Sequence, residues 1–138
     1  MKQNMEAYLK IGIYFIALVT VVLSTGCTTD QKSRSLEVTA TAYTSHPGET
    51  NSDPFLTAWG DTLKPGMKAI AVSRDLIEMG LSHNKEVRID GLKGTYIVLD
   101  KMNKRWERKI DIYMGLDAEK ARKWGKRKVK IYWKDDKS

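Results

Sequence analysis

The sequence predicts a mainly β protein: a small, closed or nearly closed barrel of six short strands with one or two short helices. Three observations support this: strict apolar alternation in residues 36–43, five further short apolar segments separated by turn residues, and only two helical segments. Closing short strands into a barrel removes exposed strand edges, which favours a barrel in a small domain. The 138 residues, 41% of them hydrophobic, are enough for one core.

Residues 36–43 form the clearest strand. Strict alternation of apolar and polar side chains is typical of a half-buried strand. The predicted core face carries Leu36, Val38, Ala40 and Ala42, and the opposite face carries Glu37, Thr39, Thr41 and Tyr43. Pro65 and Gly66 then occupy the central positions of a type II turn. Further strands are predicted at residues 68–73, 86–90, 95–99, 109–114 and 128–133.

Two short helices interrupt the strands. The first is predicted at residues 74–79, with Ser73 as its N-cap and Gly80 beyond its end. The second follows Asp117, which is expected to cap it, and stops at Gly125. One face of the second helix presents Ala118, Ala121 and Trp124.

The N-terminal residues have the pattern of an exported lipoprotein. Residues 11–23 form an apolar run of 13 residues, which suits a signal peptide better than a membrane span of about 20 residues. Cys27, the only cysteine, follows small residues as in a lipobox. We predict a signal peptide over residues 1–26, lipidation of Cys27, a flexible tether over residues 27–35 and a folded domain over residues 36–138. The expected location is the cell envelope, on the outer membrane facing the periplasm; the alternative is an uncleaved signal anchor.

The chain is basic, and the excess lies towards its C-terminus. The formal net charge is +7, and residues 100–138 contain 14 Lys and Arg against 7 Asp and Glu. Such an excess attracts polyanions. Nucleic acid is not an expected partner of a tethered envelope protein, whereas cell-wall glycan carries peptide carboxylates. The alternative is a solvated basic face without a ligand.

Two aspartates, Asp100 and Asp111, are the candidate catalytic residues. The isoleucines on either side of Asp111 are expected to face the core, which places Asp111 in mid-strand on the other face. Aspartate is uncommon there. Two neighbouring carboxylates do not both ionise readily, so one keeps a raised pKa and can donate a proton. The alternatives are an ion pair of Asp111 with Lys109 and a turn initiated by Asp100.

Trp106 lies among cations between the two aspartates. Sugar rings stack on aromatic planes, and Arg105 with the neighbouring cations would meet carboxylates of wall peptides. We therefore predict substrate contacts from Trp106 and Arg105. The alternative is that Trp106 closes one end of the barrel.

Several short motifs, taken in order, resemble the three-aspartate (3D) domain, a family related to membrane-bound lytic transglycosylase A. The match extends over residues 38–133. Its motifs are TATAYT at 39–44, TAWGDTLKPGMKAIAVS at 57–73, LIEMG at 76–80, the pair Asp100 and Asp111, KIDIYMG at 109–115 and ARKWGKRKVKIYW at 121–133. The resemblance implies a six-stranded double-psi β-barrel that acts on peptidoglycan.

By this resemblance Asp111 is the general acid and Asp100 assists it in a lytic transglycosylase. Asp111 would protonate the bond between N-acetylmuramic acid and N-acetylglucosamine, then take the proton of the sugar's C6 hydroxyl, which closes an anhydro ring without water. Groove contacts are also predicted for Thr57 and Tyr113. No metal or organic cofactor is expected. The expected partners are peptidoglycan strands and, through the lipid anchor, a membrane; the protein is expected to be a monomer.

The sequence departs from the family pattern at two places. Ser73 stands where the family has its first aspartate, and Asp-Lys-Met-Asn at residues 100–103 replaces Asp-Thr-Gly-Gly. The alternative function is a non-catalytic module of expansin type that binds or loosens the wall without cleaving it.

Overall fold

The computed structural model describes residues 32–46 and 53–135. Their elements, in chain order, are β1 (Ser33–Tyr43), β2 (Ala69–Val72), α1 (Arg74–Glu78), β3 (Glu86–Ile89), β4 (Thr95–Lys101), β5 (Lys109–Tyr113), α2 (Ala118–Trp124) and β6 (Arg127–Lys134). The six strands close into one barrel in the order β1-β5-β2-β4-β3-β6. The predicted mainly β fold, a six-stranded barrel with short helices, is confirmed.

The barrel is mixed, and its interior is the main core. β1 runs parallel to β5 and β2 parallel to β4, while the other neighbouring strands are antiparallel. Burying an aliphatic side chain contributes roughly 1.5–3 kcal/mol to folding. Fully buried interior side chains include Val38, Ile70, Val72, Val87, Val98, Ile110, Ile112 and Ile131.

Strand β1 follows its sequence pattern but starts earlier than predicted. Val38 and Ala40 are buried in the core, and Leu36 and Ala42 pack against it. The strand begins at Ser33, because residues 33–35 pair with the end of β6. The predicted tether is therefore wrong at its last three residues, which belong to the barrel.

The two helices confirm most of the predicted caps. Asp117 caps α2, since its Oδ1 accepts a hydrogen bond from the Lys120 N–H at 2.9 Å. Gly125 ends that helix with a φ of 65°. Ser73 occupies the N-cap position of α1, but its side chain makes no capping hydrogen bond there. Its Oγ instead accepts from the Lys109 N–H at 3.0 Å.

A smaller apolar cluster covers part of the outside of the barrel. Leu63, from the segment between β1 and β2, packs with Ala69, Leu99 and Tyr113. The segment reverses at the predicted turn, where Gly66 has a φ of +92°. Leu63 thereby lies against the outer face formed by β2, β4 and β5.

The N-terminal predictions fall on residues that the structure does not describe. The signal peptide, Cys27 and the start of the tether lie within residues 1–31, outside the described part of the chain. Neither helix found in residues 32–46 and 53–135 has the length and apolar character that crossing a membrane requires.

Candidate functional site

The two predicted aspartates lie in one row across the barrel wall. Asp111 on β5 pairs with Thr41 on β1 and with Ala71 on β2, and Ala71 also pairs with Asp100 on β4. Two strand spacings of about 4.8 Å place the Cα atoms of the aspartates roughly 10 Å apart. Ala71, which is only 5% exposed, stands between the two aspartates in this row.

A β-bulge decides which way Asp100 points. Ile70 pairs with Val98, but Ala71 pairs with Asp100, so Leu99 is an extra residue in β4. Side chains alternate along a strand, and in a regular strand Asp100 would share the face of Val98, in the barrel interior. The extra residue turns Asp100 to the outer face, which Asp111 also occupies.

Asp111 is half-buried and held by Thr41. The Thr41 hydroxyl donates a hydrogen bond to Asp111 Oδ1 at 2.9 Å. Burial raises the pKa of Asp111, the Thr41 bond and the Lys109 charge lower it, the Asp100 charge raises it, and the net effect is a raised pKa. Because Oδ1 accepts from Thr41, the proton of the neutral acid belongs on Oδ2.

Asp100 is fixed by the main chain. Its Oδ1 accepts hydrogen bonds from the N–H groups of Ala58 and Lys101, each at 2.8 Å. Burial raises the pKa of Asp100 most; these two bonds lower it, the Asp61 charge raises it and the Lys101 charge lowers it, with a raised pKa as the net effect. The bond to Ala58 also attaches the segment before β2 to the site.

Tyr43 is a site residue that the sequence reasoning did not select. Its hydroxyl is buried and makes no hydrogen bond within the described residues. Burial raises the pKa of Tyr43, and the charges of Asp100 and Asp111 raise it further, so the hydroxyl stays neutral as a hydrogen-bond donor close to both carboxylates. The alternation of β1 was the available signal, since it places Thr41 and Tyr43 on the same face.

The ring of Tyr113 packs against the ring of Tyr43. The two rings are tilted, with centroids 5.4 Å apart. Tyr113 is only 3% exposed, and its hydroxyl accepts a hydrogen bond from Ser45 Oγ at 3.0 Å. The observed contacts of Tyr113 are therefore with the protein, and its predicted contact with substrate stays a prediction.

Thr57 belongs to a polar cluster beside Asp100. Its Oγ1 accepts from the Asp61 N–H at 3.0 Å, and Asp61 Oδ2 lies 2.6 Å from His83 Nε2. The His83 and Trp59 rings are tilted by 36° with centroids 4.9 Å apart, and Lys101 Nζ lies 5.7 Å from the centroid of Trp59. Thr57 is 5% exposed, so it orders this loop; its predicted substrate contact is untested.

Trp106 lies next to Lys109, whose charge acts on Asp111. Lys109 Nζ lies 3.6 Å from the centre of the Trp106 ring, and the guanidinium carbon of Arg105 lies 5.0 Å from it. Trp106 belongs to neither apolar cluster of the described residues. Lys109 covers one face of the ring, and the predicted substrate contacts of Trp106 and Arg105 stay predictions.

Ser73 joins the elements that carry the site. Its N–H donates to the Lys109 carbonyl and its Oγ accepts from the Lys109 N–H, at 2.9 and 3.0 Å. The side chain is fully buried. Where the resembled family has an aspartate, this chain thus has a neutral link between the end of β2 and the start of β5.

The arrangement provides a proton donor beside a second carboxyl group that main-chain hydrogen bonds hold in place. Burial, with a smaller contribution from the Asp100 charge, raises the pKa of Asp111, so Asp111 can remain a neutral acid at a pH where an ordinary aspartate is ionised. Such a group donates a hydrogen bond or a proton to an oxygen of a ligand. Among the residues described, no group of three or more His, Cys, Asp or Glu side chains is placed to hold a metal ion.

No family model and no curated protein matches this sequence. Among solved structures the chain is similar to the apo form of an expansin from Clavibacter michiganensis, with 18% identity and a TM-score of 0.48. The match covers 76% of this chain and 52% of that chain. It thus spans about half the length of that expansin.

Proposed function

We propose that this domain binds a cell-wall polysaccharide across the outer face of the barrel and loosens the wall without cleaving it. The observation that carries the proposal is Asp111, half-buried, with Oδ1 held by Thr41 and a raised pKa. The neutral acid would donate a hydrogen bond from Oδ2 to a glycan oxygen.

The surroundings of Asp100 argue against hydrolysis by a carboxylate pair. Hydrolysing glycosidases need a second carboxylate that attacks the sugar or activates a water. Asp100 Oδ1 accepts two main-chain hydrogen bonds, which lower the basicity of this carboxylate and so make it a weaker base and nucleophile. This leaves Asp111 as the one member of the pair suited to proton transfer.

A lytic transglycosylase is the second candidate, because its chemistry needs only one such group. Asp111 would first protonate the glycosidic oxygen and then, as a carboxylate, take the proton of the sugar's own hydroxyl. The raised pKa of Asp111 favours the first of these steps. The resemblance to the three-aspartate family supports the same assignment.

Binding and cleavage are separated by one experiment on the full-length chain. The protein, Asp111→Ala and Asp90→Ala are incubated with insoluble peptidoglycan; bound protein is measured by sedimentation and released products by mass spectrometry. Asp90 is an exposed aspartate in the turn after β3 and serves as the control. Binding that Asp111→Ala weakens and Asp90→Ala does not, without product, supports wall binding. Anhydro-muropeptides from the unmutated chain alone support the transglycosylase, and unchanged binding without product contradicts both.

We further propose that Cys27 is lipidated and holds a monomeric domain in the cell envelope. The support is the sequence pattern of residues 11–27. Incorporation of a labelled fatty acid into the unmutated chain but not into Cys27→Ser is the expected result. Labelling that survives the substitution would contradict it.

A further inference from the structure

The ladder between β3 and β6 ends before either strand does. Only Arg88–Tyr132 and Ile89–Ile131 are paired. β3 nevertheless begins two residues earlier, at Glu86, and β6 continues two residues further, to Lys134. The two strands therefore separate towards Glu86 and Lys134, and we call this opening the β3–β6 fork.

The hydrogen-bond pattern shows which main-chain groups point into the fork. The Asp90 N–H donates to the Lys130 carbonyl at 2.9 Å. In antiparallel strands such hydrogen-bonded pairs recur at every second residue, so Arg88–Tyr132 is the next pair along the ladder. Glu86 and Lys134 would form the third pair, but no such pair is made. Their main-chain N–H and C=O groups are thus directed into the opening.

The fork is a groove large enough for a short extended chain. Its volume is about 580 Å³, and polar side chains on its wall include Ser33, Asn84 and Thr95. Its charged lining residues are Lys85, Arg88 and Lys134 against Glu86. The excess of positive charge favours a ligand that carries carboxylates. Neither Asp100 nor Asp111 lines this groove.

Two aromatic residues line the fork, Trp133, which is buried, and Tyr132, and the surroundings of Tyr132 favour an anionic ligand over a neutral sugar. The guanidinium carbon of Arg88 lies 5.5 Å and Lys130 Nζ 5.7 Å from the centre of the Tyr132 ring. A sugar that stacks on this ring has to compete with both cations for its faces. An anion, in contrast, meets cations that the ring already holds in place.

We infer that the β3–β6 fork is a docking site for a short, extended, acidic peptide. The peptide's main chain pairs with the open positions of Glu86 or Lys134, as an added strand pairs with a sheet edge. Its carboxylates lie against Arg88 and Lys134. This site is separate from the aspartate pair and does not depend on the function proposed for that pair.

The test measures fluorescence polarisation of a labelled hexapeptide of alternating glutamate and valine with the full-length protein. Binding is expected, and a hexapeptide of alternating lysine and valine should not bind. The double variant Arg88→Gln, Lys134→Gln should weaken binding about five- to tenfold, the effect of losing two exposed ion pairs. The control Lys64→Gln, Lys93→Gln removes two exposed cations outside the fork and should leave binding unchanged.

Two further measurements separate main-chain pairing from charge attraction. A glutamate–valine peptide with alternate amides N-methylated keeps its charge but loses main-chain donors, and it should bind much more weakly. An acidic oligosaccharide of similar charge should compete poorly. Equal binding of the N-methylated peptide, full competition by the oligosaccharide, or insensitivity to the Arg88 and Lys134 substitutions would each overturn the assignment.

Discussion

Replacement of Thr41 by valine tests the assignment of Asp111 as the proton-holding acid. Valine has nearly the shape of threonine but lacks the hydroxyl that donates to Asp111 Oδ1 at 2.9 Å. A hydrogen bond contributes about 1.5–3 kcal/mol when its acceptor is charged and about 0.5–1.5 kcal/mol when both groups are neutral. The bond therefore favours the ionised form of Asp111 by about 1 kcal/mol. Its loss should raise the pKa of Asp111 further.

The sign of the stability effect follows from linkage. A carboxyl group whose pKa is raised in the native state makes stability fall as pH rises through that pKa. Thr41→Val should therefore lower the free energy of unfolding by about 2 kcal/mol at pH 8, where Asp111 is charged. At pH 3, where Asp111 is neutral, the loss should be about 1 kcal/mol.

The assay combines urea denaturation at both pH values with carbon NMR titration of the Asp111 carboxyl group. Thr41→Ser keeps the donor and should retain most of the titration behaviour of the unmutated chain. Thr39→Val changes the preceding outward residue of β1 and controls for the added methyl group. If Thr41→Val leaves the pKa of Asp111 unchanged or lowers it, the assignment of the Thr41 hydrogen bond to the charged form of Asp111 is refuted.

Three more substitutions have expected outcomes. Asp111→Asn removes a half-buried ionisable group whose pKa burial raises. Urea denaturation should therefore show that the variant is more stable than the unmutated chain at pH 8 and gains little at pH 3. An equal gain in stability at both pH values would contradict this. Asp100→Asn removes a neighbouring negative charge, so NMR titration should show a lower pKa for Asp111. Ser73→Ala leaves the Lys109 N–H without its 3.0 Å partner and should lower stability by about 1–2 kcal/mol at any pH; a loss that varies with pH would point to a titrating partner.

The two functional candidates differ in what Asp111 must do. Wall binding requires only that the neutral acid donates a hydrogen bond, so binding should weaken as pH rises through the pKa of Asp111. Cleavage by a transglycosylase requires that Asp111, after donating its proton, acts as a base and accepts the proton of the sugar hydroxyl. A neutral amide in place of Asp111 can still donate a hydrogen bond but cannot transfer a proton. If the unmutated chain releases product, an Asp111→Asn variant that still binds but releases no product has lost the proton transfer alone.

The local elements of this protein could be predicted from the sequence. Alternation fixes which side chains of β1 face the core, because a strand has a period of two residues and Val38 and Ala40 must be buried. The cap at Asp117 and the helix end at Gly125 depend on contacts within a few residues. Both isoleucines beside Asp111 are buried, which assigns Asp111 to the outer face.

Which residues meet at the site is decided by the tertiary structure. Strand pairing, which joins residues distant in the chain, brings Thr41 to Asp111 and places Ala71 between the two aspartates. The bulge at Leu99 turns Asp100 outward, although the alternation of β4 alone would place it inside. Sequence patterns encode the preference of each residue for core or solvent. Register and bulges follow instead from how the whole barrel closes, so only the folded chain decides which outward residues meet.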